Sequence, residues 1–225
     1  MCRFRSGIIL KTKCVVAQGS DDSHTTLLEE LNIEDTWENA MRKFVSVELV
    51  PPNNEWWTEP DAWKINVDQD IVPEWFEIDR EKYLEGFKNA VKEWWNMHIL
   101  VDQKIDELNN GYYRLKRCEV KRLCKDVQVM CDSSTVQEMC DSSTVQEMCD
   151  SSTVQKMCDS STVQKMWDSS TVQEMCDSST VQKMCGSSTV QKMWDRSAVR
   201  DYKNGKRKLI AGPDLEIVRF GEENK

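Results

Sequence analysis

Hydrophobic and polar positions follow two different patterns along this chain, and the change of pattern divides it. From residue 131 to residue 193, the unit Cys-Asp-Ser-Ser-Thr-Val-Gln-Glu/Lys-Met recurs in seven tandem copies, one of them with Gly for Asp and another with Trp for Cys. Val and Met keep their places in every copy, whereas the eighth place varies between Glu and Lys. Self-similarity at a short fixed period is typical of solenoids, in which each unit buries its apolar side chains against the next.

The repeat favours β-strands over a helix. Nine residues span two and a half helical turns, so Val136 and Val145 would point to opposite sides and no apolar stripe would form. Ser-Ser-Thr-Val suits a turn followed by a strand. Low complexity leaves disorder as the alternative, but invariant Val and Met are what a stacked core needs. We predict an all-β solenoid with Val136, Met139 and their equivalents inside, and a corner at Asp132-Ser133-Ser134.

The variable eighth position indicates the size of the coil. With two units in each 18-residue coil, one column of side chains alternates in charge at the strand spacing of about 4.8 Å. That column reads Glu138, Lys156, Glu174 and Lys192, and the other column reads Glu147, Lys165 and Lys183. A coil of three units would instead place like charges on neighbouring strands, which is unfavourable. We predict two units per coil. A second bend is predicted near Gln137-Glu138, because the parity from Val to Glu/Lys to Cys conflicts with one uninterrupted strand.

Residues 1–100 contain no repeat and predict an α+β head with an antiparallel sheet. Alternating apolar positions and turn residues predict strands at Phe4–Leu10 and Cys14–Ala17, and further strands around Val45–Leu49 and Trp63–Val67. Helices are predicted at Ser23–Asn32, from a capping box at Asp35 to Lys43, and from Asp79 to about Leu100. The predicted organisation is an acidic head at 1–100, a linker and N-terminal cap at 101–130, the solenoid at 131–202, and a C-terminal cap or tail at 203–225.

Charge and hydropathy restrict the classes of partner. The net charge is −9, and residues 1–100 hold 11 basic and 19 acidic residues. Nucleic-acid binders usually concentrate basic residues on one face, so we expect a protein partner rather than a nucleic acid. No apolar run approaches the ~20 residues of a membrane span, so we expect no membrane partner. The edges and faces of a solenoid leave homo-oligomerisation open.

Ten cysteines raise the questions of disulfides and metals. Six of them occupy one repeat position, where Trp167 and Trp194 substitute, and a position that accepts Trp is not a metal-ligand position. The N-terminus lacks the apolar core of a signal peptide, so we predict free thiols and a cytoplasmic protein. Asp at the corners resembles calcium-binding nonapeptide rolls, but their glycines are absent. We therefore predict no metal and no cofactor.

Two residues are candidates for catalysis, Cys2 and His24. Removal of Met1 would leave Cys2 with a free α-amine that can act as the base for its own thiol, as in N-terminal-nucleophile hydrolases. His24 could serve as an acid or base near it. Val67-Asp68-Gln69-Asp70 places two carboxylates just after a strand, which is a reasonable place for a site. His98 lies on the apolar face of the long predicted helix and is expected to be a core residue.

Several segments of the chain are similar to segments of other proteins. The opening Met-Cys-Arg-Phe-Arg-Ser-Gly-Ile-Ile-Leu, the strand Phe-Val-Ser-Val-Glu-Leu, the segment Val-Asp-Gln-Asp-Ile-Val-Pro-Glu-Trp-Phe and the Ser-Thr-Val-Gln repeats resemble a family of uncharacterised gut-bacterial and phage proteins, described as pentapeptide-repeat-like. The resemblance implies a phage or mobile-element setting in a bacterial host cell and no known reaction. The Met-Cys start also resembles proteins that cap abasic DNA sites, although their start reads Met-Cys-Gly-Arg.

These observations lead to an expected function and an alternative. We expect an intracellular binding or interaction protein that uses the repeat solenoid as a scaffold or binding surface. The alternative is an enzyme with Cys2 as its N-terminal nucleophile, such as an amidohydrolase or a DNA-lesion-capping protein.

Overall fold

The computed structural model describes residues 4–19, 21–201, 208–211 and 218–219. The chain forms two compact units, and the boundary between them lies between Ile99 and Leu100. The first unit is the α+β head and the second is the β-solenoid, as predicted. None of the helices in the described part of the chain combines the length and apolarity that a membrane crossing requires.

The head is built on one antiparallel sheet of four strands, in the order β2-β1-β3-β4. Its strands are β1 (Arg5–Leu10), β2 (Cys14–Val16), β3 (Phe44–Val50) and β4 (Lys64–Val67). Its helices are α1 (His24–Glu30), α2 (Trp37–Ala40), α3 (Glu74–Ile78) and α4 (Arg80–His98), with 3₁₀ turns at Pro52–Asn54 and Pro60–Ala62. The second helix is shorter than predicted, and its N-cap is Thr36, whose side chain accepts from Asn39 N.

Both faces of the head's sheet are covered, because successive side chains of a strand point to opposite sides. On one face, Ile8 packs in a cluster with Leu27 and Leu28 of α1. On the other face lies α4, and a Cβ added at Gly7 would stand 2.1 Å from the Phe87 ring. The close approach of α4 therefore requires glycine at this strand position.

The solenoid consists of two sheets, which we call sheet II and sheet III. Sheet II has six strands, which are β6 (Lys104–Leu108), β8 (Glu119–Leu123), β10 (Thr135–Met139), β12 (Thr153–Met157), β14 (Thr171–Met175) and β16 (Thr189–Met193). Among the described residues, sheet III has nine strands: β5 (Ile99–Val101), β7 (Gly111–Lys116), β9 (Val127–Asp132), β11 (Thr144–Cys149), β13 (Thr162–Met166), β15 (Thr180–Met184), β17 (Ala198–Asp201), β18 (Lys208–Ala211) and β19 (Val218–Arg219).

Alternate repeat units enter alternate sheets, so that two units make one coil. Val136 of β10 pairs in parallel with Val154 of β12, and Val145 of β11 with Val163 of β13. Each partner is 18 residues away, which confirms the predicted coil of two units. The parallel pairing also extends before the first complete repeat, since β6 pairs with β8 and β7 with β9. Residues 101–130, for which we predicted a linker and cap, thus contribute strands to both sheets.

The repeat core has the predicted composition. Val136, Met139 and the equivalent side chains through Val181 are fully buried, and Val190 and Met193 of the last repeat are partly buried. Between Val and Met stand two consecutive outward positions, Gln and Glu/Lys, so the alternation of the strand is interrupted there. The second Ser of the corner is buried as well, and Ser152 Oγ accepts from Ser134 N of the preceding coil.

The corners are stabilised by a ladder of aspartates. Most repeat corners hold Asp with a positive φ, such as 54° at Asp159, a conformation that Asp tolerates better than most residues. The carboxylate of Asp159 accepts from the backbone N of Asp141 in the preceding coil at 3.1 Å. Gly186 (φ 66°) replaces Asp at one corner, next to the backbone of Asp168. The corner predicted at Asp132-Ser133-Ser134 is thus present, and its side chains also connect successive coils.

The predicted C-terminal cap or tail at 203–225 lies mostly outside the described residues. Its two described segments are β18 and β19, whose backbones continue sheet III by antiparallel pairing onto β17.

Candidate functional site

The head brings together two of the side chains that the sequence singled out. His24, at the start of α1, has its Nδ1 3.4 Å from Oδ2 of Asp68, which follows β4. Glu48 of β3 joins them, and the potential ligand atoms of the three residues all lie within 4.8 Å of one another. We call His24, Glu48 and Asp68 the head cluster. Cys2, the other candidate, lies outside the described residues.

A buried arginine holds the chain segment that leads to His24. The Arg5 side chain is completely buried, with its guanidinium 3.7 Å from the centre of the Trp94 ring. It donates to the carbonyl oxygens of Ala17 and Gly19 and forms an ion pair with Asp22 at 2.8 Å. A buried charge is tolerated when it is paired and hydrogen-bonded. These contacts hold Ala17, Gly19 and Asp22 in place before α1, so His24 starts its helix at a defined place over the sheet.

The sheet register places the two carboxylates side by side. Glu48 lies opposite Asn66, and the backbone N of Asp68 donates to Ser46 O at 2.9 Å. Glu48 and Asp68 therefore project from adjacent strands on the same face. Gln69 holds the loop after β4, because its Oε1 accepts from Ser46 N and its Nε2 donates to Ala40 O and Phe44 O. These hydrogen bonds hold the backbone around Asp68 in a defined position beside β3.

The contacts of His24 determine which ring nitrogen faces the carboxylates. Nε2 lies 3.0 Å from the carbonyl oxygen of Val47, and a carbonyl oxygen only accepts, so Nε2 carries a proton. Nδ1 is then the nitrogen turned toward Asp68. Burial raises the pKa of Glu48, and the nearby charge of Asp68 raises it further, whereas His24 lowers it. The site is an imidazole between two crowded carboxylates, and it can accept a proton or a cation.

The sequence indicates His24 as a partner of Cys2, and Asp68 together with Asp70. It does not single out Glu48. A signal for Glu48 was present, since a carboxylate interrupts the strand Val-Ser-Val-Glu-Leu-Val between buried apolar positions. His98 is only partly buried, and its ring lies 5.3 Å from that of Trp94.

The outer surface of sheet II carries a row of alternating charges. The row begins two strands before the complete repeats and reads Glu107, Arg122, Glu138, Lys156, Glu174 and Lys192. Ion pairs form at Arg122–Glu138 (3.2 Å) and Glu174–Lys192 (3.1 Å). Opposite charges on neighbouring strands attract, so each charge of this row is compensated by its neighbours in the row.

The corresponding row of sheet III does not alternate. Lys165 pairs with Glu147 at 2.9 Å on one side, but on the other side it lies in register with Lys183. The ammonium of Lys183 is 5.5 Å from the centre of the Trp167 ring. We call Lys165, Trp167 and Lys183 the Lys–Trp patch. It is a basic and aromatic surface on a chain of net charge −9.

The repeat cysteines form columns along two corners of the coil. In one column, Sγ of Cys176 lies 3.2 Å from Sγ of Cys158, and the Asp177 carboxylate is within 4.8 Å of both. All the cysteines among the described residues are free thiols. Burial raises the pKa of Cys176 to about 12, with a further contribution from Cys158, and burial raises that of Cys149 to about 11. Thiols of this kind are protonated and weakly nucleophilic at neutral pH.

Comparisons with known proteins give no family for this chain. No family model, curated protein or solved structure matches it.

Proposed function

We propose that this protein is a binding protein in which sheet III of the solenoid presents the Lys–Trp patch to an acidic surface of a protein partner. The observation that carries the proposal is the contrast between the two outer charge rows. The row of sheet II alternates throughout, whereas that of sheet III places Lys183 beside Lys165. Like charges opposite each other on neighbouring strands are unfavourable, and an acidic partner would offset that repulsion.

The aromatic neighbour supports the same proposal. Trp is enriched at protein interfaces, and Trp167 stands in the corner directly after Met166 of β13. The solenoid fixes the spacing of the patch, because the coils on either side are hydrogen-bonded through their backbones. A rigid surface loses little conformational entropy on binding.

The setting of this interaction belongs to the proposal too. The resemblance to gut-bacterial and phage repeat proteins suggests a bacterial host cytoplasm and an origin in a phage or mobile element. An enzyme that uses Cys2 remains the alternative prediction. Replacement of Cys2 by Ala separates the two, since a binder should retain its partner and a Cys2 enzyme should lose its activity.

Affinity capture with charge-matched variants tests the proposal. The double variant K165Q/K183Q removes two charges from sheet III, and the control K156Q/K192Q removes two from sheet II. Proteins retained from a bacterial host extract by the wild-type chain are identified by mass spectrometry and then purified for titration. We expect the patch variant to bind such a protein at least tenfold more weakly, and the control to bind it as the wild type does. Equal binding by both variants, or equal loss in both, would refute the proposed surface.

A further inference from the structure

The head cluster combines the features of a metal-binding site. An imidazole nitrogen and two carboxylates converge from three different elements, which are α1, β3 and the loop after β4. We propose that His24, Glu48 and Asp68 bind one first-row divalent cation of the Mn²⁺ or Zn²⁺ type, with a coordination position left open to solvent. This inference is independent of the solenoid surface and of the proposed function.

The separation of His24 Nδ1 and Asp68 Oδ2 fits two ligands of one ion. His24 Nδ1 and Asp68 Oδ2 are 3.4 Å apart, which is long for a direct charged hydrogen bond of about 2.7–2.9 Å. Two vertices of a tetrahedron with metal–ligand bonds of about 2.1 Å are separated by about 3.4 Å. The Glu48 carboxylate lies within 4.8 Å of both atoms, and rotation of its flexible side chain can close the remaining gap.

The imidazole is held in the orientation that a ligand requires. Metal-bound histidines usually donate their second ring N–H to a carbonyl or carboxylate, which fixes the tautomer. Here Nε2 donates to Val47 O at 3.0 Å, and this leaves the lone pair of Nδ1 directed toward the carboxylates. Val47 precedes Glu48 in the same strand, so one short backbone segment supplies both a ligand and the group that orients another.

The charges and exposure of the head cluster determine the kind of cation. Two carboxylates and a neutral imidazole give a charge of −2, which a divalent cation balances. Nitrogen and oxygen donors suit Mn²⁺ or Zn²⁺ better than a soft ion such as Cu(I), which prefers thiolates. The Asp68 side chain is 59% exposed, so the solvent side of the site has room for water or an added ligand. Three protein ligands and an open position are typical of reactive metal sites rather than structural ones.

Titration with Mn²⁺, followed by electron paramagnetic resonance of the free ion, tests the site on the full chain. Mn²⁺ is the probe because it binds thiolates poorly, so the solenoid cysteines do not contribute. We expect one site per chain in the wild type. H24A and D68N should each weaken binding at least tenfold, whereas H98A and D70N, which change the same residue types elsewhere in the head, should bind as the wild type does.

Far-ultraviolet circular dichroism of each variant shows whether it has kept its fold. Asp68 is exposed, so D68N is expected to fold normally, and if H24A does not fold then D68N and E48Q decide the question. Displacement of Mn²⁺ by Zn²⁺ in the wild type would show that both ions use the same ligands. The proposal is overturned if the wild type binds no Mn²⁺ at millimolar concentration, or if folded D68N and E48Q bind it as the wild type does.

Discussion

The repeats allow one buried side chain to be compared with a copy of itself in a different environment. Met157 in β12 is completely buried between Met139 and Met175 of the neighbouring coils. Met193 occupies the same repeat position in β16 but is only partly buried. Met157→Ala removes three heavy atoms from a closed core, and Met193→Ala removes the same atoms from a more open one.

The expected costs differ because only one substitution leaves an enclosed cavity. Replacement of a buried Met by Ala typically costs about 2–5 kcal/mol, from lost burial plus the cavity that remains. The backbone pairing on both sides of β12 restricts collapse, so we expect about 3–4 kcal/mol for Met157→Ala. Met193 is only partly buried, so less of its side chain is removed from water on folding. We therefore expect Met193→Ala to cost about 1 kcal/mol or less.

Hydrogen exchange is the suitable assay because it reports the stability of a repeat array coil by coil, whereas a global unfolding transition averages over all the coils. Exchange of the backbone amides in Thr153–Met157 and the adjacent strands should accelerate by about two to three orders of magnitude in Met157→Ala, in line with the expected free energy. In Met193→Ala the increase should be confined to the last coils. Equal increases for the two variants, or none in β12 for Met157→Ala, would refute the coil stacking and the core described above.

Three further predictions concern the corners, charge rows and thiols. Gly186→Asp should be more stable than Gly186→Ala in urea unfolding, by about 1 kcal/mol. The reason is that the new carboxylate can accept a hydrogen bond from the backbone N of Asp168, as the carboxylates at other corners do. Equal stability of the two variants would exclude that hydrogen bond. Lys156→Glu should lower the urea midpoint because it places like charges on neighbouring strands, and Lys183→Glu should raise it because it separates two lysines. Both shifts should shrink in high salt. Shifts of the same sign would contradict the register. At pH 8 the thiolate fraction of Cys176 should be about a thousandfold smaller in the folded than in the unfolded chain, because burial raises its pKa from 9.0 to about 12. Alkylation should therefore be at least about tenfold slower in the folded chain, since the higher nucleophilicity of the more basic thiolate offsets only part of this loss. Unfolded thiols ionise first, so stability should fall as the pH rises above about 9, and a stability that rises there would refute the buried thiol.

The candidate site was only partly predictable. His24 and Asp68 could be selected as chemically capable residues, but Glu48 was not, and nothing local indicated that the three would meet. They are separated by 24 and 20 positions in the chain. Their convergence depends on the antiparallel register of β3 and β4 and on the contacts of Arg5 that place α1 over the sheet.

The solenoid could be predicted because its determinants are local and repeated. The period, the invariant Val and Met, and the alternation of Glu138, Lys156 and Glu174 together indicated a β-coil of two units, since any error of register would recur in every copy. Before residue 131 the unit is present only as a degenerate copy at Arg122–Met130, which keeps Val127, Gln128 and Met130. Ile105 and Leu108 pair with Val120 and Leu123 in the same inward places as the repeat Val and Met, but of these four residues only Val120 is the same as in the repeat. An inward position requires only an apolar side chain of suitable size, so coils can form where the residues of the repeat are not kept. The recurrence of identical residues therefore identified the repeats, but only the tertiary pairing of strands determined where the solenoid begins.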